Sequence, residues 1–164
     1  MWRKIGLFVV LGTGALGAGL VFATPHRSDF IPTVAQRLPV SAEAVIDGRT
    51  IELEVARTTE EQATGLMFRE ELPAYRGMLF ELPRPKSQIL WTKGVNFPID
   101  AVFLRDGRVQ VVIAELMPCP SEPCPVYGSS EPVDQVLELR GGRAAELGLV
   151  PGKQVTIQPV AGRS

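Results

Sequence analysis

The sequence predicts a mainly β (α+β) protein: a compact antiparallel barrel-like or sandwich domain with two short helices, preceded by an N-terminal hydrophobic leader. Three observations predict it. Asp47-Gly48 and Asp106-Gly107 are tight-turn signals, each set between apolar runs of strand length. The other apolar runs are equally short and are separated by Pro, Gly and charged residues. Only two stretches, after Thr58 and after Gly142, carry the composition of a helix.

The leader starts with Arg3 and Lys4 and then runs from Ile5 to Ala23 without an ionisable side chain. That order, a charged stub and then an apolar run, is the pattern of a membrane-directed segment. Two readings fit residues 1–23. Val21-Phe22-Ala23 suits a cleavable signal peptide. The length of the run, with the cationic end held in the cytoplasm, suits a transmembrane anchor. Either reading exports the domain to the periplasmic or extracellular side of the membrane. Within the run, Gly12-Thr13-Gly14-Ala15-Leu16-Gly17 matches the dinucleotide-binding fingerprint. The fingerprint works only between a strand and a helix, where its glycines let backbone approach a pyrophosphate. This context has neither, and the match is rejected.

Composition bounds the remainder. With 17 basic and 18 acidic side chains, the chain has no electrostatic footprint for nucleic acid. Residues 24–39 contain three prolines and the only histidine, His26, without an apolar period, and read as a flexible tether. Residues 40–159 are enough for one core without metal or several disulfides, and 160–164 read as a disordered tail.

The domain opens with a hairpin in which Val40, Ala42 and Ala44 alternate with polar residues and face Val55, Leu53 and Ile51 across Asp47-Gly48. This register puts Glu43 opposite Glu52 on a solvated face. Thr58 with Glu61, and Thr59 with Gln62, form overlapping capping boxes that predict a helix to about Met67. Strands are predicted over Met78–Leu82 and Gln88–Thr92, then over Ile99–Leu104 and Val109–Ala114 around the second turn. The last pair is nearly all apolar, so both faces should be covered. Val136–Arg140 and Val155–Gln158 are further short strands. Arg143–Leu147 makes one or two helical turns, with Gly148 as C-terminal cap.

An ordered string of landmarks resembles a known family: Gly65-Leu66-Met67-Phe68-Arg69, Leu72-Pro73, Gly77-Met78-Leu79-Phe80, Trp91, Pro98-Ile99-Asp100, Pro118-Cys119, Val136-Leu137-Glu138-Leu139 and Leu147-Gly148-Leu149. Together they are similar to the prokaryotic domain of unknown function 192, over roughly Ala44 to Ile157. The resemblance implies a small, mainly β, often exported domain and carries over no catalytic residue. Where the family tends to read Trp-Met-Lys-Asn, this chain has Trp91-Thr92-Lys93-Gly94.

Cys119 and Cys124 lie in a proline-stiffened C-x4-C loop. In an exported domain they read first as a structural disulfide and second as a thiol redox pair. With no histidine after His26, neither a zinc site nor a Ser-His or Cys-His mechanism can be assembled, and no cofactor is expected. The candidate ligand-binding cluster is Arg69, Trp91, Lys93, Asn96 and Asp100. Trp91 offers a stacking face, and Arg69 and Lys93 offer cations beside the Phe97-Pro98 break. The competing reading makes Trp91 core and pairs Arg69 with Asp100 or Glu138 to pin helix to sheet. The sequence therefore points to a non-enzymatic envelope module, tied to the membrane by its leader, that binds a small molecule or another envelope protein. The alternatives are a hydrolase or lyase using Asp100 or Glu138, and a redox accessory protein using the cysteines.

Overall fold

A computed structural model describes residues 32–160. The readings of residues 1–23 as leader and of the C-terminal tail beyond residue 160 lie outside the described residues, as does the first half of the tether, 24–31. Among the described residues, no helix is long and apolar enough to cross a membrane.

Seven strands and two helices follow in the order β1 (Val40–Ile46), β2 (Arg49–Ala56), α1 (Thr59–Thr64), β3 (Arg76–Leu90), β4 (Ile99–Arg105), β5 (Arg108–Leu116), β6 (Tyr127–Arg140), α2 (Arg143–Glu146) and β7 (Thr156–Pro159). All the strands belong to one curled, half-barrel sheet in the order β5-β4-β6-β3-β2-β1-β7. Its two edges approach each other at one end. There the chain leading into β7 bonds to the start of β5, Val109 N donating to Lys153 O at 2.9 Å and Val155 N to Gly107 O at 2.8 Å. The mainly β class with two short helices therefore stands.

Both turn signals form hairpins, with positive φ at Asp47, Gly48, Asp106 and Gly107. Ala44 faces Ile51 and Ala42 faces Leu53 as expected, but a bulge puts Val40 opposite Glu54 instead of Val55. Glu43 does oppose Glu52, and each carboxylate finds a partner elsewhere: Gln158 Nε2 donates to Glu43, and Arg76 pairs with Glu52 at 3.1 Å. The first capping box is the one used, with Glu61 N donating to Thr58 Oγ1 at 3.1 Å and Thr58 N to Glu61 Oε2 at 3.0 Å.

The expected antiparallel pairing holds except at one point: β2 and β3 are parallel. A parallel pair cannot be closed by a tight turn and requires a long crossover. Here residues 57–75, including α1, make that crossover and lie over one face of the sheet. The strands predicted over Met78–Leu82 and Gln88–Thr92 are one strand, β3, because the Pro83-Arg84-Pro85 interruption is absorbed by irregular register against β6.

The sheet is consequently buried on both faces. On one, Leu53, Leu79, Leu137 and Val102 pack against Ala144 and Leu147 around α2. On the other, Met78, Ala101, Phe103 and Val136 pack beneath Leu66 and Leu72 of the crossover. Each such Leu, Val, Met or Phe side chain contributes about 1.5–3 kcal/mol of burial. The second face carries the candidate site.

Candidate functional site

Register places the key polar groups. Glu54 on β2 pairs with Met78 on β3, Met78 pairs with Glu138 on β6, and Glu138 pairs with Ala101 on β4. Paired residues share a face, so Glu54 and Glu138 stand on the covered face with one methionine between them. The crossover supplies the cation. Arg69 directs Nη1 to Glu54 Oε1 at 2.8 Å and Nη2 to Oε2 at 2.7 Å, a bidentate pair with Arg69 2% and Glu54 3% exposed. Strand alternation puts Glu54 on the same face as Glu52, opposite Leu53 and Val55. The crossover covers it, and alternation along one strand does not reveal that.

Burial pushes the Glu54 carboxyl up, but the Arg69 hydrogen bonds, the Leu38 amide at 2.7 Å and the charges of Arg69 and Arg76 outweigh it and hold the group below its ordinary value. Glu138 differs. It is 6% exposed, and desolvation raises its pKa from 4.5 to about 8 against the opposing charge of Arg69. At neutral pH the cluster therefore holds one carboxylate, one guanidinium and one protonated carboxyl.

The turn that delivers Arg69 is strained. Phe68 has φ 63°, uncommon for a bulky residue, and its amide donates to Gly94 O at 2.7 Å. The result sends Phe68 outward and Arg69 inward. Gly94 itself has φ 69°. Glycine and asparagine are the residues that tolerate this conformation, so glycine in place of the family's asparagine keeps the backbone. A Cβ there would lie 2.8 Å from Met67 Cε. Asn96 Nδ2 donates to Arg69 O at 3.0 Å, fixing the same turn from the other side. Residues 32–39, part of the segment read as tether, run beside α1, where Gln36 Nε2 donates to Glu61 O at 2.7 Å and Gly65 O at 3.0 Å.

Between the crossover and the β3–β6 arm lies a cleft of about 630 Å³. Leu66, Phe80, Leu90 and Val95 are among its walls, Phe68, Ile89 and Trp91 are exposed at its rim, and Pro32 also lines it. Among the described residues, its ionisable lining groups are Lys93 and Glu138. Trp91 is 53% exposed, and Lys93 Nζ lies 5.7 Å from the centre of its ring, within cation–π range. Lys93 also pairs with Glu122 in the cysteine loop. That loop is closed by a bond between Cys119 and Cys124, whose Cα atoms are 5.6 Å apart. Among the described residues, no group of three His, Cys, Asp or Glu side chains is arranged to hold a metal ion. A second, more open depression of about 770 Å³ is bordered by Glu81, Asp106 and Asp134. There Glu81 pairs with Arg57 at 2.9 Å and Asp134 Oδ2 accepts the Asp106 amide at 2.9 Å, while Asp134 Oδ1 is buried without a partner among the described residues.

The five residues singled out from sequence thus separate. Trp91 and Lys93 stand at the cleft, Arg69 and Asn96 build the turn behind it, and Asp100 is elsewhere. Asp100 pairs with Leu139 while Ala101 pairs with Glu138, so Asp100 and Glu138 are on opposite faces of the sheet. An ion pair of Arg69 with Asp100 or Glu138 is likewise not formed. Glu54 takes the guanidinium.

Asp100, fully buried, accepts three amides: Glu115 N at 2.8 Å, Gly142 N at 3.0 Å and Ala144 N at 2.7 Å. Gly142, the N-cap of α2, has no side chain to cap with, and Asp100 does so from β4. Asp100→Ala should leave three donors unanswered and lower stability by about 3 kcal/mol. Urea unfolding measures the loss, and faster amide exchange at Ala144 locates it.

Residues 42–157 match the family domain of unknown function 192, described as an uncharacterized ACR. No curated protein matches the chain. Among solved structures, the chain is similar to a protein of unknown function from Novosphingobium aromaticivorans DSM 12444, with 31% identity and a TM-score of 0.65 over 78% of this chain and 94% of that one. It is also similar to a candidate transcription regulator from Sinorhizobium meliloti 1021, with 29% identity and a TM-score of 0.63 over 73% of this chain and 92% of that one. The ordered landmarks and the half-barrel sheet agree with this match, and the chain belongs to the domain of unknown function 192 family.

Proposed function

We propose that this protein is an exported envelope module that binds a small, mainly apolar molecule in the cleft beneath α1. The observation that carries this reading is the cleft itself: apolar walls, an exposed indole at the rim under a lysine, and a single buried carboxyl within. Pockets that take small molecules combine an apolar lining with a few placed polar groups in this way. The leader and the bonded cysteines support the compartment. The chain between Ala23 and Pro32, a lining residue, spans at most about 30 Å when extended. An uncleaved anchor would therefore hold the cleft near the bilayer. Balanced charge gives no reason to carry the neighbour's transcription-regulator description over to this chain.

Trp91 reports occupancy directly. The chain has two tryptophans, so Trp2→Phe leaves Trp91 as the sole indole emitter. A library of apolar and amphipathic compounds should yield a subset that shifts its emission. Ala63→Phe, at an exposed position of α1 lining the cleft, should weaken those compounds about tenfold or more while moving Tm by less than about 2 °C. A flat library response refutes the reading.

A second reading, a hydrolase or lyase with Glu138 as general acid, is favoured by the raised pKa of that group. Lys93, the other ionisable lining residue, is occupied by Glu122, and Asp100 is on the other face of the sheet. Turnover of a bound compound that disappears in Glu138→Gln would favour this reading over simple binding.

A further inference from the structure

Two polar groups beside the cleft have no hydrogen-bond partner among the described residues. Arg69 uses both terminal nitrogens on Glu54, and its Nε is buried without an acceptor. Glu138 lines the cleft, is 6% exposed, and receives no side-chain hydrogen bond among the described residues. Buried polar groups in folded proteins are nearly always satisfied, so the Glu138 carboxyl, which lines the cleft with the Arg69 guanidinium behind it, calls for a partner from the cleft.

The surrounding charges select that partner. From β2 comes Glu54, closing the Arg69 fork, and Arg76 acts on Glu54 from the start of β3. From the crossover comes Arg69, and at the rim stands Lys93. A ligand ammonium approaching Glu138 would meet two cations. A ligand carboxylate would have to shed water among apolar walls, and Arg69, closed on Glu54 through both terminal nitrogens, does not line the cleft to receive it. An uncharged oxygen acceptor carries neither cost.

We propose that the cleft selects molecules presenting an uncharged carbonyl oxygen, as in an amide or ester, to the Glu138 hydroxyl beside Arg69, with the apolar remainder against Leu66, Phe80 and Val95. This specificity rests on the cleft being a binding site. The proton it needs on Glu138 is held up to about pH 8.

Three probes with one apolar body and different heads test it: 4-phenylbutanamide, 4-phenylbutanoate and 4-phenylbutylamine, titrated against the full chain carrying Trp2→Phe in lipid nanodiscs, with empty nanodiscs as blank. At pH 6.5 the amide should bind at least tenfold more tightly than either charged probe. Its affinity should fall more than tenfold between pH 7 and 9.5. Glu138→Gln, whose amide still donates, should bind the same probe with a flat pH profile, and Glu138→Leu should retain binding but lose the preference among heads. Tightest binding by a charged probe, or binding without head preference in the parent chain, overturns the proposal while leaving the cleft as a site. Binding by none of the three overturns both. Should Glu138→Leu fail to fold, the pH profile of Glu138→Gln decides alone.

Discussion

Arg69→Met should lower the unfolding free energy by about 3–5 kcal/mol, the cost of removing one partner from a buried ion pair. The pair is closed from water, with Arg69 2% and Glu54 3% exposed. Without the guanidinium, Glu54 keeps only the Leu38 amide as a short-range donor, and burial drives its carboxyl toward the protonated form. The turn at Phe68 loses its side-chain anchor as well, although Phe68 N to Gly94 O and Asn96 Nδ2 to Arg69 O still hold its backbone. The double variant Glu54→Leu/Arg69→Met should recover most of the loss, because two well-packed apolar groups can replace a buried pair at little net cost. Acid behaviour checks the assignment independently. A carboxyl held below its ordinary value adds stability above pH 4.5 that disappears as pH falls through its folded value. Arg69→Met should abolish that acid limb. A loss below about 1 kcal/mol in urea unfolding would mean the pair is solvated and does not hold the crossover to the sheet.

How far the sequence revealed this arrangement depends on the range of the interaction. Local signals served well. Asp47-Gly48 and Asp106-Gly107 formed their hairpins, Thr58 and Glu61 formed their capping box, and the family landmarks fell across residues 42–157. What local patterning cannot carry is the lateral order of strands. Alternation in β2 assigned Leu53 and Val55 to a core face and Glu54 to water, correct for an isolated hairpin. The parallel partner β3 brings a crossover over the other face and buries Glu54. The same limit split the candidate cluster. Asp100 and Glu138 are both polar residues in apolar strands, and only the register Asp100–Leu139, Ala101–Glu138 tells which side each faces. Trp91 and Lys93 were legible as rim residues because they flank a Phe97-Pro98 break, where backbone leaves the sheet. Phe68 gave no signal, since its positive φ arises from the tertiary clamp to Gly94 and no propensity favours it.

Glu138 should make the protein progressively less stable as pH rises, the reverse of what Glu54 does. Its folded pKa, about 8, lies above the unfolded value near 4.5. Below pH 4.5 both states carry the proton and the group is neutral in the balance. Between 4.5 and about 8 the folded state keeps a proton that the unfolded state has released, so the folding equilibrium weakens by up to tenfold per pH unit. Above about pH 8 both states are ionised and the loss levels off, at about 5 kcal/mol across the window. Glu138→Gln removes the titration while keeping size and a donor. The difference in unfolding free energy between parent and variant, followed from pH 5 to 9 in urea, should trace this sigmoid, with the variant the more stable at pH 9. A parallel pair of curves would place Glu138 in contact with solvent and would remove the protonated carboxyl from the cleft. A compound that hydrogen-bonds that proton should shift the midpoint upward, since binding to the protonated state alone opposes its loss. Stability alone, with no assay of activity, thus reports whether this carboxyl is free to meet a ligand.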